Sequence, residues 1–599
     1  MANKNSIPVR SEVAASDSWD LSKLYPSHEE WEKDLEIFKS AIPKAESFKG
    51  KLAESAEIFL NCLEYFNTNN LLNERIGSYA FLRYAEDAGD SNNQSRYGLT
   101  MQTETDFSAA VSYIDPEIQA IPDEVISAYL LDSRISEYRI MLEKILRLKP
   151  HVLSASEERL LALQGEAASA PQKAFEALTD VDLTFGTIET PDGEKPLSQS
   201  SFSSFLINPD RTLREKAYNQ FYSKFNEHKN TIAALYAGSV QYDVYQARVR
   251  NYSSARKAAL FPDDVPEAVY DNLVSAVHDG FPALHRYYAL RKKALGVDTL
   301  RHYDVYVPLV KNVSTKYSYT EAVDIVIKAL EPLGEEYTST IKNGLLGSWV
   351  DRYENKGKRS GAFSAGSYIG DPYILMNYKE NVLRDVFTLA HEGGHSMHSW
   401  YSVKNNPFQH YNYTIFEAEV ASTFNEQFVA KYLLAHAESK EMKAYIIGKQ
   451  LDDIIATIFR QTMFAEYEHK THQMYESGVP LTVDSLRTAY RELLESYFGP
   501  EMVLEESSDL EGLRIPHFYR AFYVYKYATG LSASLALSRK VMDGDESDRN
   551  TYLNFLKSGG SKFPIESLKL AGVDMSSPKP VSDAVEIFTT LLEQYEKLL

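Results

Sequence analysis

Two histidines one helical turn apart, His391 and His395, enclose a glutamate and two glycines in the run His391-Glu392-Gly393-Gly394-His395. At about 3.6 residues per turn, both imidazoles reach one face of a helix and therefore one metal ion. Glu392 sits on the adjoining edge, where a carboxylate holds and deprotonates a water instead of ligating the metal. The chemistry indicated is metal-assisted hydrolysis, with His391 and His395 as ligands and Glu392 as general base. The plainer alternative makes the histidines hydrogen-bonded core residues and Glu392 a surface carboxylate. With 14 histidines in the chain, a chance match is on the order of a few per cent.

A catalytic zinc keeps three protein ligands and an open position. The extended three-histidine pattern fails here, because His398 stands where it needs glycine and Tyr401 where it needs the third histidine. The next helix, expected over Tyr413 to Leu434, offers Glu417 and Glu419. Two residues apart on a helix is roughly 200°, so both cannot face one metal, and periodicity does not choose between them. Glu426 returns to the face of Glu419. Its plainer role is a solvent-exposed helix glutamate; its functional one is to accept the second N–H of a ligand imidazole.

The elements that must position these groups are legible around them. Leu383, Phe387, His391 and His395 recur every four residues, an inward stripe that starts apolar and ends in the ligands. Paired glycines inside a helix cost about 1 kcal/mol each relative to alanine, so Gly393-Gly394 implies that substrate or a neighbouring element packs close to the backbone. Before this helix, Asp371-Pro372-Tyr373-Ile374-Leu375-Met376-Asn377 reads as a short strand, either an ordinary buried one or an exposed edge able to pair with an extended peptide. The preceding loop, with Gly357, Gly361 and Gly366, has neither the spacing nor the following helix of a nucleotide-binding loop.

Further from the site, Ser27 followed by Glu30 is a capping signal, and helical spacing runs from there to about Leu178. Val181 to Ile188 alternates and meets Pro191-Asp192-Gly193, a hairpin signal. Helical spacing returns from Asp210 to about Leu295, and the region of Tyr303 to Tyr306 is an irregular connection. The expected division is an N-terminal helical lobe over residues 1–180 and a catalytic domain over 181–599. No segment repeats at a fixed period.

The net charge of −21 argues against a nucleic-acid partner, which would call for a basic face. The single cysteine, Cys62, lies in an apolar run and reads as a core thiol in a reducing compartment. The first thirty residues, from Lys4 to Asp20 and beyond, show no apolar export signal, and no window approaches a membrane span. The expectation is a cytoplasmic protein with no membrane partner.

The segment HEGGHSMH, the run Glu419-Val-Ala-Ser-Thr-Phe-Asn-Glu426, the early Trp19-Asp20-Leu21-Ser22-Lys23-Leu24-Tyr25-Pro26, the strand Asp371 to Asn377 and the late Ile515-Pro516-His517-Phe518-Tyr519 together resemble the M3 family of zinc metallopeptidases, in its oligoendopeptidase F (M3B) branch. The likeness covers nearly the whole chain. It implies one zinc per chain on His391, His395 and Glu419, with Glu392 as base. It also implies a mainly α, bilobed fold around the gluzincin HExxH core, with a small β-sheet beside the site, an internal channel, and cleavage of internal bonds in short peptides. The alternatives on the same core are a dipeptidyl carboxypeptidase, an aminopeptidase, or a non-catalytic peptide-binding scaffold.

The segment His517 to Gly530 is dense in tyrosine. Read as one helix, it puts Tyr519, Tyr523 and Tyr527 on one face and Phe518, Phe522 and Tyr525 on another. Most such stripes are core. In the resembling family a histidine and tyrosines of this region face the site, which makes His517, Tyr523 and Tyr525 candidate donors to the carbonyl oxygen that gains charge.

Overall fold

The computed structural model describes residues 7–310 and 315–599; residues 1–6, with Lys4 of the polar leader, lie outside the described residues. Among the described residues helices dominate, with three small sheets of two, two and three strands. From Arg10 to Asp182 every element is helical. Ser27 caps the helix His28–Ala41 by accepting the Glu30 N–H at 3.4 Å, while Ser55 and Asp90 cap Ala56–Glu86 and Ser91–Val111 in the same way. Their buried faces meet through Trp31, Phe38, Phe59, Tyr79 and Phe107, and Cys62 is packed among them at 0% exposure.

The hairpin forms, but later than the alternation suggests. Ala177–Asp182 is a π-helical turn, and the strands are Thr187–Thr190 and Gly193–Pro196, joined by Pro191-Asp192. Gly193, at φ +105°, supplies a backbone angle that side chains disfavour. Asp210 caps a 39-residue helix, Arg211–Val249, whose Phe221 stacks on Phe202 at 3.8 Å between ring centres. Beyond it, Leu300–Arg301 pairs in parallel with Met502–Val503, and His302–Asp304 is a single 3₁₀ turn.

Contacts gather the chain into two compact units, and each is discontinuous in sequence. The first joins residues 1–149, 314–435 and 534–573; the second joins 150–313, 436–533 and 574–599. The expected lobes, 1–180 and 181–599, divide the chain differently. The helix bearing His391 and His395 shares its unit with the N-terminal helices, and the physical link is a strand. Tyr373 and Leu375, both fully buried, belong to the same apolar cluster as Trp19, Trp31 and Phe59. Such a link between distant segments has no local periodicity to announce it.

The first unit's three-stranded sheet has Tyr373–Leu375 in the middle. It pairs in parallel with Val350–Asp351 and antiparallel with Phe363–Ala365. The strand expected to be either buried or an exposed edge is thus the buried one, at 0% exposure throughout. The edge nearest in sequence is Phe363–Ala365, which is partly exposed.

Candidate active site

The helix carrying the two histidines runs from Leu383 to Asn405. Asp385 in its first turn accepts the Lys379 N–H at 2.8 Å, which fixes the chain entering it. Leu383 and Phe387 are 5% and 3% exposed, so the start of the stripe anchors the helix by burial worth about 1.5–3 kcal/mol per side chain. One turn further on the apolar residues give way to His391 and His395.

The second helix, Ile415–His436, approaches so closely that a Cβ at Gly394 would lie 2.5 Å from the Ala421 carbonyl oxygen and 2.7 Å from the Ser422 Cα. The backbone approach implied by the glycine pair is therefore that of a neighbouring helix. Gly393 instead faces the Ile341 Cδ1, at 2.9 Å from a built Cβ. Asn425, fully buried, joins the same two helices by donating to the Ala390 carbonyl at 3.2 Å while accepting from the Tyr337 hydroxyl at 2.9 Å.

This approach chooses between the two glutamates. Glu417 turns back on the start of its own helix, where it accepts from the Thr414 N–H at 3.2 Å and the Thr414 hydroxyl at 3.1 Å. Burial pushes its carboxyl up to about 7. Glu419 points the other way: its Oε2 lies 3.7 Å from the His391 Nε2 and 4.0 Å from the His395 Nε2. One atom from each of His391, His395 and Glu419 lies within 4.8 Å of the others, the only such grouping of three among the described residues. Ligand atoms on a tetrahedral zinc at 2.0–2.2 Å stand about 3.4 Å apart, so the cradle needs only slight closure to hold the ion.

The imidazole orientations fit that role. His391 Nδ1 donates to Glu426 Oε1 at 2.6 Å, which leaves Nε2 with its lone pair toward Glu419 and His395. The plainer expectation for Glu426, a solvent-facing glutamate, gives way to this contact. Without a cation, burial alone would lower the proton affinity of His391, but Glu426 outweighs it and raises the group. Burial lowers His395 to about 3, which keeps its imidazole neutral and able to coordinate a cation. Glu392 is 6% exposed, and burial followed by the charge of Glu419 raises its carboxyl to about 7, while His391 and the Ser364 backbone N–H act in the other direction. A carboxyl poised near neutrality both takes and returns a proton.

Ser364 belongs to the edge strand Phe363–Ala365, so that strand lies against Glu392. Its hydroxyl is 2.9 Å from the Ser396 hydroxyl, which donates to the Pro372 carbonyl at 3.1 Å. The sequence reading missed Asn425, Ser396 and Ser364; the signal available was small polar residues on otherwise apolar inward faces. His398 lies flat on Tyr413, with ring centres 3.6 Å apart, and contributes packing.

His517, Tyr523 and Tyr525 fall in the second unit, whereas the His391–His395–Glu419 grouping lies wholly in the first. The single helix expected over 517–530 does not form. Pro516–Tyr519 is a 3₁₀ turn, Phe522 adopts φ +54°, and the helix starts only at Tyr525. A left-handed residue breaks helical periodicity, so the expected faces do not exist. His517 and Tyr523 instead both meet Tyr527, at 6.2 and 5.4 Å between ring centres, with the Arg520 guanidinium 4.0 Å from the Tyr523 ring centre. Tyr525 is 1% exposed and packs on Tyr270.

With the metal-ligand geometry in place, comparison with known proteins decides the family. The model described as "Peptidase family M3" matches residues 204–587, and that of "Oligopeptidase F" matches 117–185. The chain belongs to peptidase family M3. It is 43% identical to Oligopeptidase PepF of Bacillus subtilis over 99% of this chain and 89% of that protein. A crystal structure from Chlamydophila abortus superimposes with TM-score 0.94 at 36% identity, covering 99% of this chain and 100% of the other. The oligoendopeptidase-F structure from Enterococcus faecium gives 0.75 at 35% identity, covering 95% and 99%. As an M3 peptidase the chain is a metalloendopeptidase, and its family implies a metal cofactor. Among the described residues no helix is long and apolar enough to cross a membrane.

Proposed function

We propose that this M3 peptidase is a zinc-dependent oligoendopeptidase that cuts internal bonds of short peptides, with one Zn²⁺ held by His391, His395 and Glu419. The observation that carries this reading is the placement of Glu419 Oε2 at 3.7 and 4.0 Å from the two imidazole Nε2 atoms, with His391 oriented by Glu426. Bound zinc supplies the Lewis acidity that polarises a carbonyl and acidifies water. Glu392 takes the proton of the attacking water and returns it to the leaving amine, a double role suited to a carboxyl whose burial lifts it to about 7.

The Phe363–Ala365 strand, paired on one side only among the described residues, offers backbone donors and acceptors to an extended peptide. Such pairing binds the main chain without reading side chains, as an enzyme acting on varied peptides requires. His517 and Tyr523, both accessible, are our candidates to donate to the carbonyl oxygen as it gains charge. The burial of Tyr525 against Tyr270 gives it a packing role instead. The single buried cysteine and the charge of −21 support a cytoplasmic protein that does not bind nucleic acid.

Metal analysis together with digestion of peptides of graded length, read by mass spectrometry, tests the reading. Internal cuts and one zinc per chain are expected. Removal of terminal residues alone would instead favour the carboxypeptidase or aminopeptidase alternative.

A further inference from the structure

The second unit holds a cavity of about 360 Å³ whose wall is apolar and whose polar groups are of opposite sign at separate places. Tyr288, Phe464 and Phe498 form the wall, with the Tyr288 and Phe498 rings 4.9 Å apart. A cavity of this size with few, placed polar groups is the ordinary form of a small-ligand site.

Asp452 supplies the negative group. Its Oδ1 accepts from the Tyr287 hydroxyl at 2.7 Å, and that hydroxyl accepts from Arg291 at 3.0 Å. Among the described residues no hydrogen bond reaches the second carboxylate oxygen, and the residue is exposed to the cavity. The positive group is a pair of guanidinia that share one carboxylate. Glu511 meets Arg460 at 2.6 Å and Arg514 at 3.5 Å, and also accepts from the Tyr490 hydroxyl at 2.8 Å. Arg514 spends its Nε on the Tyr222 hydroxyl at 3.2 Å, and its Nη1 makes no hydrogen bond among the described residues. Arg460 also gives its Nη1 to the Met463 sulfur at 3.5 Å, so two cations against one anion leave a positive charge and the Arg514 Nη1 in the cavity lining.

Asp452 and Arg460 are eight residues apart on one helical stretch, about 12 Å along its axis. Between them Ile455–Phe459 is π-helical, a distortion frequent at functional sites, and Ile455 and Ala456 of that segment line the cavity. The Ala456 methyl leaves the volume open. After both charged side chains reach inward, the remaining span suits two or three peptide units at 3.3–3.6 Å each.

We infer that this cavity binds a free di- or tripeptide with apolar side chains, its ammonium at Asp452 and its carboxylate at Arg460 and Arg514. The ligand class is that of peptide-hydrolysis products. The site shares no residue with the metal cradle, so binding is read without hydrolysis and stands or falls apart from the assignment of the zinc ligands.

Titration calorimetry with Phe-Leu, N-acetyl-Phe-Leu and Phe-Leu amide tests the inference on the wild-type, Asp452→Asn and Ala456→Trp proteins, each checked for folding by circular dichroism. The wild type is expected to bind Phe-Leu one to one, with at least a tenfold loss when either end is blocked. Asp452→Asn should weaken Phe-Leu at least tenfold and leave N-acetyl-Phe-Leu unchanged, since a blocked amine no longer addresses that carboxylate. Ala456→Trp should abolish binding of all three. Absence of binding to the wild type overturns the inference. So does an Asp452→Asn substitution that changes the affinities for free and acetylated dipeptide by the same factor, because the peptide then sits elsewhere, the catalytic site included.

Discussion

Glu392 shows how one side chain takes its character from its surroundings. Burial and Glu419 raise its carboxyl to about 7, so in metal-free protein the folded state holds a proton that the unfolded chain releases near 4.5. The folded state therefore loses stability as pH rises from about 4.5 to 7, and a bound cation relieves that loss. Glu392→Gln removes the titrating group. In chelator, urea denaturation of the variant and of wild type should agree near pH 4, and at pH 8 the variant should be the more stable by about 3 kcal/mol. Glu426 is the other residue whose part is open to measurement. Glu426→Ala leaves the three ligands in place but frees the His391 Nδ1–H, and zinc affinity measured against a competing chelator should fall 10–100-fold.

At the scale of elements, the glycine at position 394 fixes the gap between the two helices that share the cradle. Gly394→Ala would drive a methyl to 2.5 Å from the Ala421 carbonyl oxygen and push away the helix that carries Glu419. We expect a loss of at least about 2 kcal/mol on thermal or urea unfolding together with weaker zinc binding, as overpacking against backbone has no flexible neighbour to relieve it. Gly393→Ala meets only the end of the Ile341 side chain, which can rotate, so its loss should be the smaller. The helix of His391 and His395 and the stripe ending in them were legible because they follow a local period, and the strand before them because its residues are β-branched, aromatic and apolar. The separate roles of Glu417 and Glu419 were not, since both are polar positions on a helix whose partner is known only from packing. The Tyr519–Tyr523–Tyr527 face failed for the converse reason: Phe522 at φ +54° interrupts a sequence that otherwise reads as helix.

Over the whole molecule, the mainly helical class is plain from spacing, while the division into units is not. Asp351, on the sheet beside the metal helix, is fully buried and paired with Arg10 and Lys358, each at 2.5 Å. Arg10 also meets Glu86 at 2.8 Å, and the Trp19 indole donates to Glu86 at 2.6 Å. Residues more than three hundred positions apart thus complete one buried ionic network, and removing one side of it costs about 3–5 kcal/mol. A fragment of residues 181–599, which contains every catalytic motif, should therefore fail to fold or to hold zinc alone. Circular dichroism and metal analysis of that fragment check the expectation. An N-terminal lobe that were truly separable would instead leave it folded and metal-bound.

The most direct measurement of the central claim is zinc content and peptide hydrolysis of Glu392→Gln beside wild type. If His391, His395 and Glu419 hold the metal and Glu392 moves the proton, the variant retains one zinc per chain and its kcat falls by about 10²–10⁴-fold. A variant that keeps its zinc and hydrolyses peptides at the wild-type rate contradicts the account.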